Sequence, residues 1–129
     1  MKPERMILFL EDERELLLTL GSMLSDQGYR GITAADAEEA FRVMKQSVPN
    51  LVIADIKLPG MSGIEFFTAV RKSEEYSKVQ FIFLTAFNDI NAKLYAKRQG
   101  AGDYITKPFD FEYLVARIHQ LVPLEPMEG

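Results

Sequence analysis

The 129-residue sequence contains no cysteine and only one histidine, His119. Without cysteine the chain can form neither disulfide bonds nor thiolate metal sites, which fits a reducing compartment, and we expect a cytoplasmic protein. A lone histidine without a serine-centred motif gives no support to a catalytic triad. We therefore interpret His119 as a surface or interface residue.

Long apolar runs and basic charge are also scarce. The apolar run nearest the start, Met6–Leu10, is too short for a signal-peptide core or a membrane span, so no membrane association is predicted. The net charge of −4 and the pI near 5.0 argue against direct nucleic-acid binding, although an acidic domain can belong to a larger DNA-binding protein. No glycine-rich phosphate loop or Walker motif supports nucleotide or flavin binding.

The length and the composition, 47% hydrophobic and 26% charged, are those of one soluble domain. Apolar segments that predict strands alternate with amphipathic segments that predict helices. Strands are expected at 6–10, 29–34, 51–54, 79–84 and 103–106, each followed by a helix, the last two over 88–99 and 110–121. Short connections between them predict right-handed βαβ crossovers, which give an α/β fold with a parallel sheet covered by helices on both faces.

Several residues mark the ends of the predicted helices. Gly28 stands where a left-handed C-cap would end the first helix. Asp36 and Glu39 have the spacing of a capping box, Ser62-Gly63-Ile64-Glu65 gives another helix start, and Asp110 caps the last helix. Residues 123–129 contain two prolines and no apolar period, which is typical of a tail or the start of a linker.

The stretch 51–63 runs from four apolar residues into a single carboxylate, Asp55, and then into a turn at Leu58-Pro59-Gly60. In a parallel sheet this places Asp55 at the carboxyl end of a buried strand, the edge where such sheets bind ligands. An isolated aspartate there has a simpler explanation, since its side chain often satisfies backbone N–H groups in turns. The groups that follow the other strands decide between the two interpretations.

Polar groups follow four of the five predicted strands: Glu11 and Asp12, then Asp55, Thr85 and Lys107. Each has an ordinary structural explanation, because acids favour a helix N-terminus, threonine is common in strands and lysine is usually solvated. However, the carboxyl ends of parallel strands share one edge of the sheet, so these groups are expected to converge. Their joint occurrence favours a functional site.

The chemistry of the set indicates phosphoryl transfer. Three carboxylates in one place repel one another, and a raised pKa or a divalent cation relieves the repulsion. An all-oxygen set suits Mg²⁺, which takes one or two carboxylates together with a phosphate oxygen. The hydroxyl of Thr85 and the ammonium of Lys107 can hold phosphoryl oxygens. The pattern therefore predicts a site that moves a phosphoryl group onto Asp55.

These motifs resemble the receiver domain of two-component response regulators, and the resemblance covers residues 5–122. It rests on the acidic pair within 10–13, on Asp55 within 54–63, on Thr85-Ala86 after a strand, and on the segment 100–109. It implies a (βα)5 flavodoxin-like fold, a doubly wound five-stranded parallel sheet of order 2-1-3-4-5. A receiver domain would then occupy 1–122, and 123–129 would be a tail or lead towards an output domain.

The resemblance also implies roles for individual residues. Asp55 would accept a phosphoryl group from the phosphohistidine of a sensor histidine kinase or a phosphotransfer protein. The Mg²⁺ ligands would be Glu11, Asp12, Asp55 and the backbone carbonyl of Lys57. Lys107 would pair with the phosphoryl oxygens, and the Lys107-Pro108 peptide is a candidate for a cis bond.

By the same resemblance Thr85 would move towards the phosphoryl group and let Tyr104, a half-buried strand residue, turn inward. The face formed by 88–121 would report this change to a partner or output domain. Arg117 and Asp103 resemble residues that mediate homodimerisation through this face in DNA-binding regulators. Tyr113 stands where an acidic partner is expected, which leaves dimerisation open.

Lys57 and Phe87 lie two residues after Asp55 and Thr85, respectively. We interpret them as shields against the water that hydrolyses the acyl phosphate, which predicts a long-lived phosphorylated state. A degenerate receiver used as a docking module would tend to lack one of the site residues, and an aspartyl-phosphate phosphatase would carry an aspartate in place of Lys57. The sequence favours a signalling receiver that catalyses only its own phosphorylation and dephosphorylation.

Overall fold

A computed structural model of the chain describes residues 5–86, 91, 94, 97, 98 and 103–124. The strands are β1 (Met6–Leu10), β2 (Arg30–Ala34), β3 (Leu51–Asp55), β4 (Gln80–Ala86) and β5 (Asp103–Lys107). The helices are α1 (Arg14–Asp26), α2 (Ala37–Gln46), α3 (Gly63–Lys72) and α4 (Phe111–Leu121), with a 3-10 turn at Glu74–Tyr76. Apart from residues 91, 94, 97 and 98, which are helical, the predicted helix over 88–99 lies outside the described residues, as does Phe87.

The five strands form one parallel sheet in the order β2-β1-β3-β4-β5, which confirms the predicted topology. Successive residues of a strand point to opposite faces of the sheet. One face packs on α2 and α3 through residues such as Leu8, Val52 and Phe81, and the other packs on α1 and α4 through Ile7 and Ile53. Burial on both faces explains why β1 and β3 are continuous apolar runs in the sequence. None of the helices in the described ranges has the length and apolar character that crossing a bilayer requires.

The helix-end signals are confirmed at three positions. Gly28 has φ +92° and donates to Ser25, and the next amide, Tyr29 N, donates to the carbonyl of Leu24 at 3.0 Å, which together close α1 in a left-handed cap. Ser62 and Glu65 form a complete capping box at the start of α3. The Asp110 side chain accepts from the amide of Glu112 and caps α4.

The capping box expected at Asp36 is only half formed. The Asp36 carboxylate accepts from the Glu39 amide at 2.8 Å, but the Glu39 carboxylate accepts from Ala35 N, not from Asp36 N. The predicted reciprocal bond is therefore wrong by one residue. The helix still gains the first of the two capping bonds.

Three strands extend further than the apolar pattern predicted. β3 includes Asp55, β4 continues through Thr85 to Ala86, and β5 includes Lys107. The ladder continues because each of these residues has a neighbour in register, as in the pairs Asp55↔Leu84 and Ala86↔Lys107. Asp55, Thr85 and Lys107 therefore stand on the sheet itself and not on loops.

The carboxyl end of α4 is attached to the edge of the sheet at which the strands begin. The Tyr29 hydroxyl donates to the carbonyl of Val122 at 2.6 Å and lies 2.9 Å from Nδ1 of His119. Gln80 donates to the carbonyl of Leu121 at 2.7 Å. These side chains satisfy carbonyls that a helix end leaves without partners. Burial raises the pKa of Tyr29, and His119 is a half-buried packing partner of its ring.

We expect Tyr29→Phe to lower the free energy of unfolding by about 1–2 kcal/mol, because the buried carbonyl of Val122 loses its donor while the ring still packs. Urea unfolding measures this change. Tyr113→Phe removes a hydroxyl from a ring on α4 that is 51% exposed, and this control should leave the midpoint unchanged. Equal midpoints for both variants would show that the Tyr29 contact contributes no stability.

Candidate functional site

Lys107 connects the ends of three strands. Its Nζ lies 2.5 Å from Oε1 of Glu11, which follows β1, and 2.5 Å from Oδ2 of Asp55 at the end of β3. The side chain starts from β5 and reaches past β4 to make both contacts. The Lys107-Pro108 peptide bond, the cis candidate of the sequence, is cis. The structure thus brings Glu11, Asp55 and Lys107 together as expected.

The carboxylate of Glu11 is buried and held by three donors. Its exposed fraction is 1%, and Oε2 accepts from the backbone amides of Asp12 (3.0 Å) and Glu13 (3.2 Å), while Oε1 accepts from Lys107. Burial raises the pKa of Glu11, and the negative charge of Asp55 raises it further. The hydrogen bonds from Lys107 and the Glu13 amide oppose these effects without cancelling them.

The ammonium of Lys107 is held in its charged form. Burial by itself lowers the pKa of Lys107, but the hydrogen bonds to Asp55 and Glu11 and their negative charges outweigh burial and raise it. One cation therefore compensates two carboxylates in this structure. Any second cation that binds Glu11 and Asp55 must displace the Lys107 ammonium or share the two carboxylates with it.

Each carboxylate oxygen of Asp55 accepts a hydrogen bond from a different donor. Oδ1 accepts from the backbone N–H of Lys57 at 2.9 Å, and Oδ2 accepts from Lys107. The residue is 8% exposed, so only a small part of it is open to solvent. Lys57 itself is exposed and lines the same cavity as Asp55.

The donor set fits a divalent cation. Glu11, Asp12 and Asp55 each offer a carboxylate oxygen, and these oxygens lie within 4.8 Å of one another. Asp12 is exposed, so the group is open to solvent on that side. Oxygen ligands with room for water are what Mg²⁺ prefers. The residues present could hold Mg²⁺, provided that Lys107 yields its place between Glu11 and Asp55.

Thr85 and Tyr104 lie on the same face of neighbouring strands. Thr85 is 1% exposed, and its hydroxyl donates to the carbonyl of Ala86 at 3.3 Å, so it is directed to its own strand in this conformation. Tyr104 pairs in register with Phe83, two residues before Thr85, and is half-buried as predicted. Because residues two apart in a strand share a face, a movement of Thr85 would change the space beside Tyr104.

An open cavity of about 560 Å³ lies over the acidic site. Asp55 and Lys107 line it together with apolar side chains, among them Leu16, Phe109 and Phe111. Phe111 is 39% exposed and stacks edge-on against Phe109, with ring centroids 5.5 Å apart. This apolar mouth was not predicted from the sequence, although Phe109 and Phe111, two and four residues after Lys107, were the available signal.

The face expected to report the switch is described only in part, through β5, α4 and residues 91, 94, 97 and 98. Within it, Arg117 Nε donates to Oδ2 of Asp103 at 2.6 Å. This ion pair lies within one chain, so both side chains have a partner without a second copy. Tyr113 on the same helix is exposed.

The sequence that forms this fold and its acidic edge matches a known protein family. The family model described as "Response regulator receiver domain" matches residues 7–119. The chain belongs to this family. It is therefore a receiver domain of the kind found in two-component response regulators, as the motifs predicted.

Relatives of this receiver domain include both longer and similarly short proteins. The chain is 42% identical over 113 residues to the transcriptional regulatory protein YvrH of Bacillus subtilis, covering 87% of this chain and 46% of YvrH. It is 31% identical to protein PilH of Pseudomonas aeruginosa, covering 90% of this chain and 96% of PilH. The chain spans about half the length of the first curated relatives that it matches.

The same fold is found in a solved structure of the chemotaxis protein CheY4 of Vibrio cholerae. The two superpose with a TM-score of 0.85 at 28% sequence identity, over 93% of this chain and 100% of the other. The receiver domain is thus similar both to a transcriptional regulatory protein and to a chemotaxis protein.

Proposed function

We propose that this receiver domain is a phosphoacceptor switch in which Asp55 receives a phosphoryl group from the phosphohistidine of a sensor histidine kinase or a phosphotransfer protein. The observation that carries the proposal is the position of the Asp55 carboxylate. It lies at an open cavity, fixed on one oxygen by the Lys57 amide and on the other by Lys107. A carboxylate held in this way is oriented for attack on an incoming phosphorus atom.

In the transfer step an Asp55 oxygen forms a bond to phosphorus as the bond between phosphorus and the histidine nitrogen breaks. Glu11, Asp12, Asp55 and the Lys57 backbone carbonyl would hold Mg²⁺, which when bound neutralises charge on the phosphoryl oxygens. Lys107, released from the two carboxylates, pairs with a phosphoryl oxygen. The domain thus catalyses its own phosphorylation. In its own dephosphorylation water attacks the acyl phosphate, inorganic phosphate leaves and the Asp55 carboxylate is restored.

The response to phosphorylation would start at Thr85. Its hydroxyl leaves the Ala86 carbonyl for the phosphoryl group, and Tyr104 takes up the space released on the same face of the sheet. The face 88–121 then presents a different surface to its partner. We further propose that Lys57 and Phe87 shield the acyl phosphate from water.

The similarity to YvrH supports a whole protein in which this domain controls a transcriptional output domain, because the identity is higher than that to PilH, which is close to this chain in length. The acidic domain itself would not contact nucleic acid. Homodimerisation through the 88–121 face would require Arg117 or Asp103 to exchange the partner that it has within the chain.

Intact-mass spectrometry after incubation with acetyl phosphate tests the proposed function. We expect one phosphoryl adduct in the presence of Mg²⁺ and none when a chelator removes the metal. The switch is excluded if no adduct forms and beryllofluoride with Mg²⁺ leaves the amide NMR spectrum of the domain unchanged. A phosphorylation-independent docking module is then the better interpretation of the domain.

A further inference from the structure

Gly63, the first residue of α3, lies directly against the end of β3. Its amide donates to the carbonyl of Ile56 at 2.9 Å. A Cβ added at Gly63 would stand 2.2 Å from the carbonyl oxygen of Asp55 and 3.0 Å from both the Asp55 carbonyl carbon and Ile56 Cα. These are backbone atoms, which cannot rotate away as a flexible side chain can. Any side chain at this position must therefore displace backbone.

Lack of space, not backbone conformation, makes glycine necessary here. Gly28 and Gly60 are the described glycines with positive φ, and Gly63 is not among them. Gly60, in the same loop, has nothing within 4 Å of an added Cβ, and at Gly21 in α1 the nearest atom would be 3.7 Å away. Gly63 is thus unlike its neighbours in the loop and unlike another helical glycine.

The two segments that meet at Gly63 are both fixed. β3 is paired on both sides, with β1 and β4, and the Ile56 amide donates to the Leu84 carbonyl at 3.0 Å. The start of α3 is held by the Ser62–Glu65 capping box, and Phe67 packs edge-on against Phe81 at 4.9 Å. A clash would therefore be relieved where β3 meets α3, at the Asp55 carbonyl group and in residues 56–62, which include Lys57.

We infer that Gly63 is a positioning residue for the phosphoacceptor. Because Gly63 has no side chain, α3 can begin in contact with the Asp55 backbone. This contact holds the Asp55 carboxylate where Oδ2 reaches Lys107 and Oδ1 accepts from the Lys57 amide. The inference rests on the proposed function of Asp55 as the phosphoacceptor. Gly63 would contact neither the metal nor the phosphoryl group, but it would set the position of the Asp55 carboxylate, which contacts both.

Gly63→Ala tests this inference, with Gly21→Ala as the matched control, since it adds the same methyl group to a helix where there is room. We expect the phosphorylation rate with acetyl phosphate to fall by about tenfold to a hundredfold and the Mg²⁺ affinity by about tenfold in Gly63→Ala. Gly21→Ala should match the parent in both. Measurements are made at a temperature where urea titration shows every variant to be folded, because a role in stability alone would leave affinity and rate unchanged there.

A Gly63→Ala domain that binds Mg²⁺ and is phosphorylated like the parent overturns the inference and leaves the proposed function intact. If the parent forms no adduct and beryllofluoride with Mg²⁺ leaves it unchanged, the proposed function fails instead. In that case the side-chain ammonium resonance of Lys107 in the metal-free domain still tests positioning: a resonance shifted in Gly63→Ala alone supports it, and one that matches the parent overturns it.

If Gly63→Ala does not fold in buffer alone, the parent, Gly63→Ala and Gly21→Ala are compared in sucrose, which favours the folded state because it is excluded from the protein surface. Slower phosphorylation in Gly63→Ala than in the other two supports positioning. Equal rates, or a Gly63→Ala domain that stays unfolded in sucrose, count against it, because the glycine then serves stability and not the site.

Discussion

Asp55→Asn is expected to abolish phosphorylation of the domain, a loss of about a thousandfold or more in rate. Asparagine keeps the shape of the side chain, and its carbonyl oxygen can still accept from the Lys57 amide, which Asp55 binds at 2.9 Å. The amide has no carboxylate oxygen to form the acyl phosphate. Lys107 retains its second partner, Glu11, so the strand ends stay connected. Intact mass after incubation with acetyl phosphate and Mg²⁺ measures the loss.

Asp36→Asn is the matched control for this variant. It makes the same chemical change in an aspartate that caps α2, and asparagine is as good a helix cap as aspartate. The control should form the adduct at the parent rate. An adduct that persists in Asp55→Asn would place the phosphoryl group on another residue, with Asp12 the first to examine by peptide mapping, and would end the assignment of Asp55.

The fold was predictable because its sheet is buried on both faces. Met6–Leu10 and Leu51–Ala54 form continuous apolar runs, as expected for covered strands. The Gly28 and Ser62–Glu65 signals mark helix ends through backbone hydrogen bonds that depend on local sequence. The strand ends were less predictable. The extension of β4 to Ala86 depends on its pairing with Lys107, which is far away in sequence.

The convergence of the site residues also followed from topology, since parallel strands end at one edge. The contacts inside the site did not. Nothing local in the sequence indicates that Glu11 turns one oxygen back to the amides of Asp12 and Glu13 and gives the other to Lys107. The crowding at Gly63 is equally hidden, because the distance from its missing Cβ to the Asp55 carbonyl depends on how α3 meets β3. Phe87 and most of 88–99 remain predictions.

The position of Lys107 leads to a second large effect, in which one variant changes two properties in opposite directions. Lys107→Met should slow phosphorylation by about a hundredfold to a thousandfold, because the ammonium that would stabilise charge on the phosphoryl oxygens is lost. The same variant should bind Mg²⁺ more tightly, by about tenfold, because the cation no longer competes with an ammonium 2.5 Å from both Glu11 and Asp55. Isothermal titration calorimetry measures the affinity, and intact mass against time measures the rate.

Lys78→Met provides the control, since Lys78 is exposed and lines a cavity away from Asp55. It should leave both properties at parent values. Weaker Mg²⁺ binding in Lys107→Met would mean that the lysine holds the two carboxylates in place for the metal, and that the ammonium is a support and not a competitor. An unchanged rate would remove Lys107 from the phosphoryl site altogether. Tighter Mg²⁺ binding combined with slower phosphoryl transfer is the result expected if the Lys107 ammonium gives way to the metal at Glu11 and Asp55. The ammonium then contacts the phosphoryl group instead.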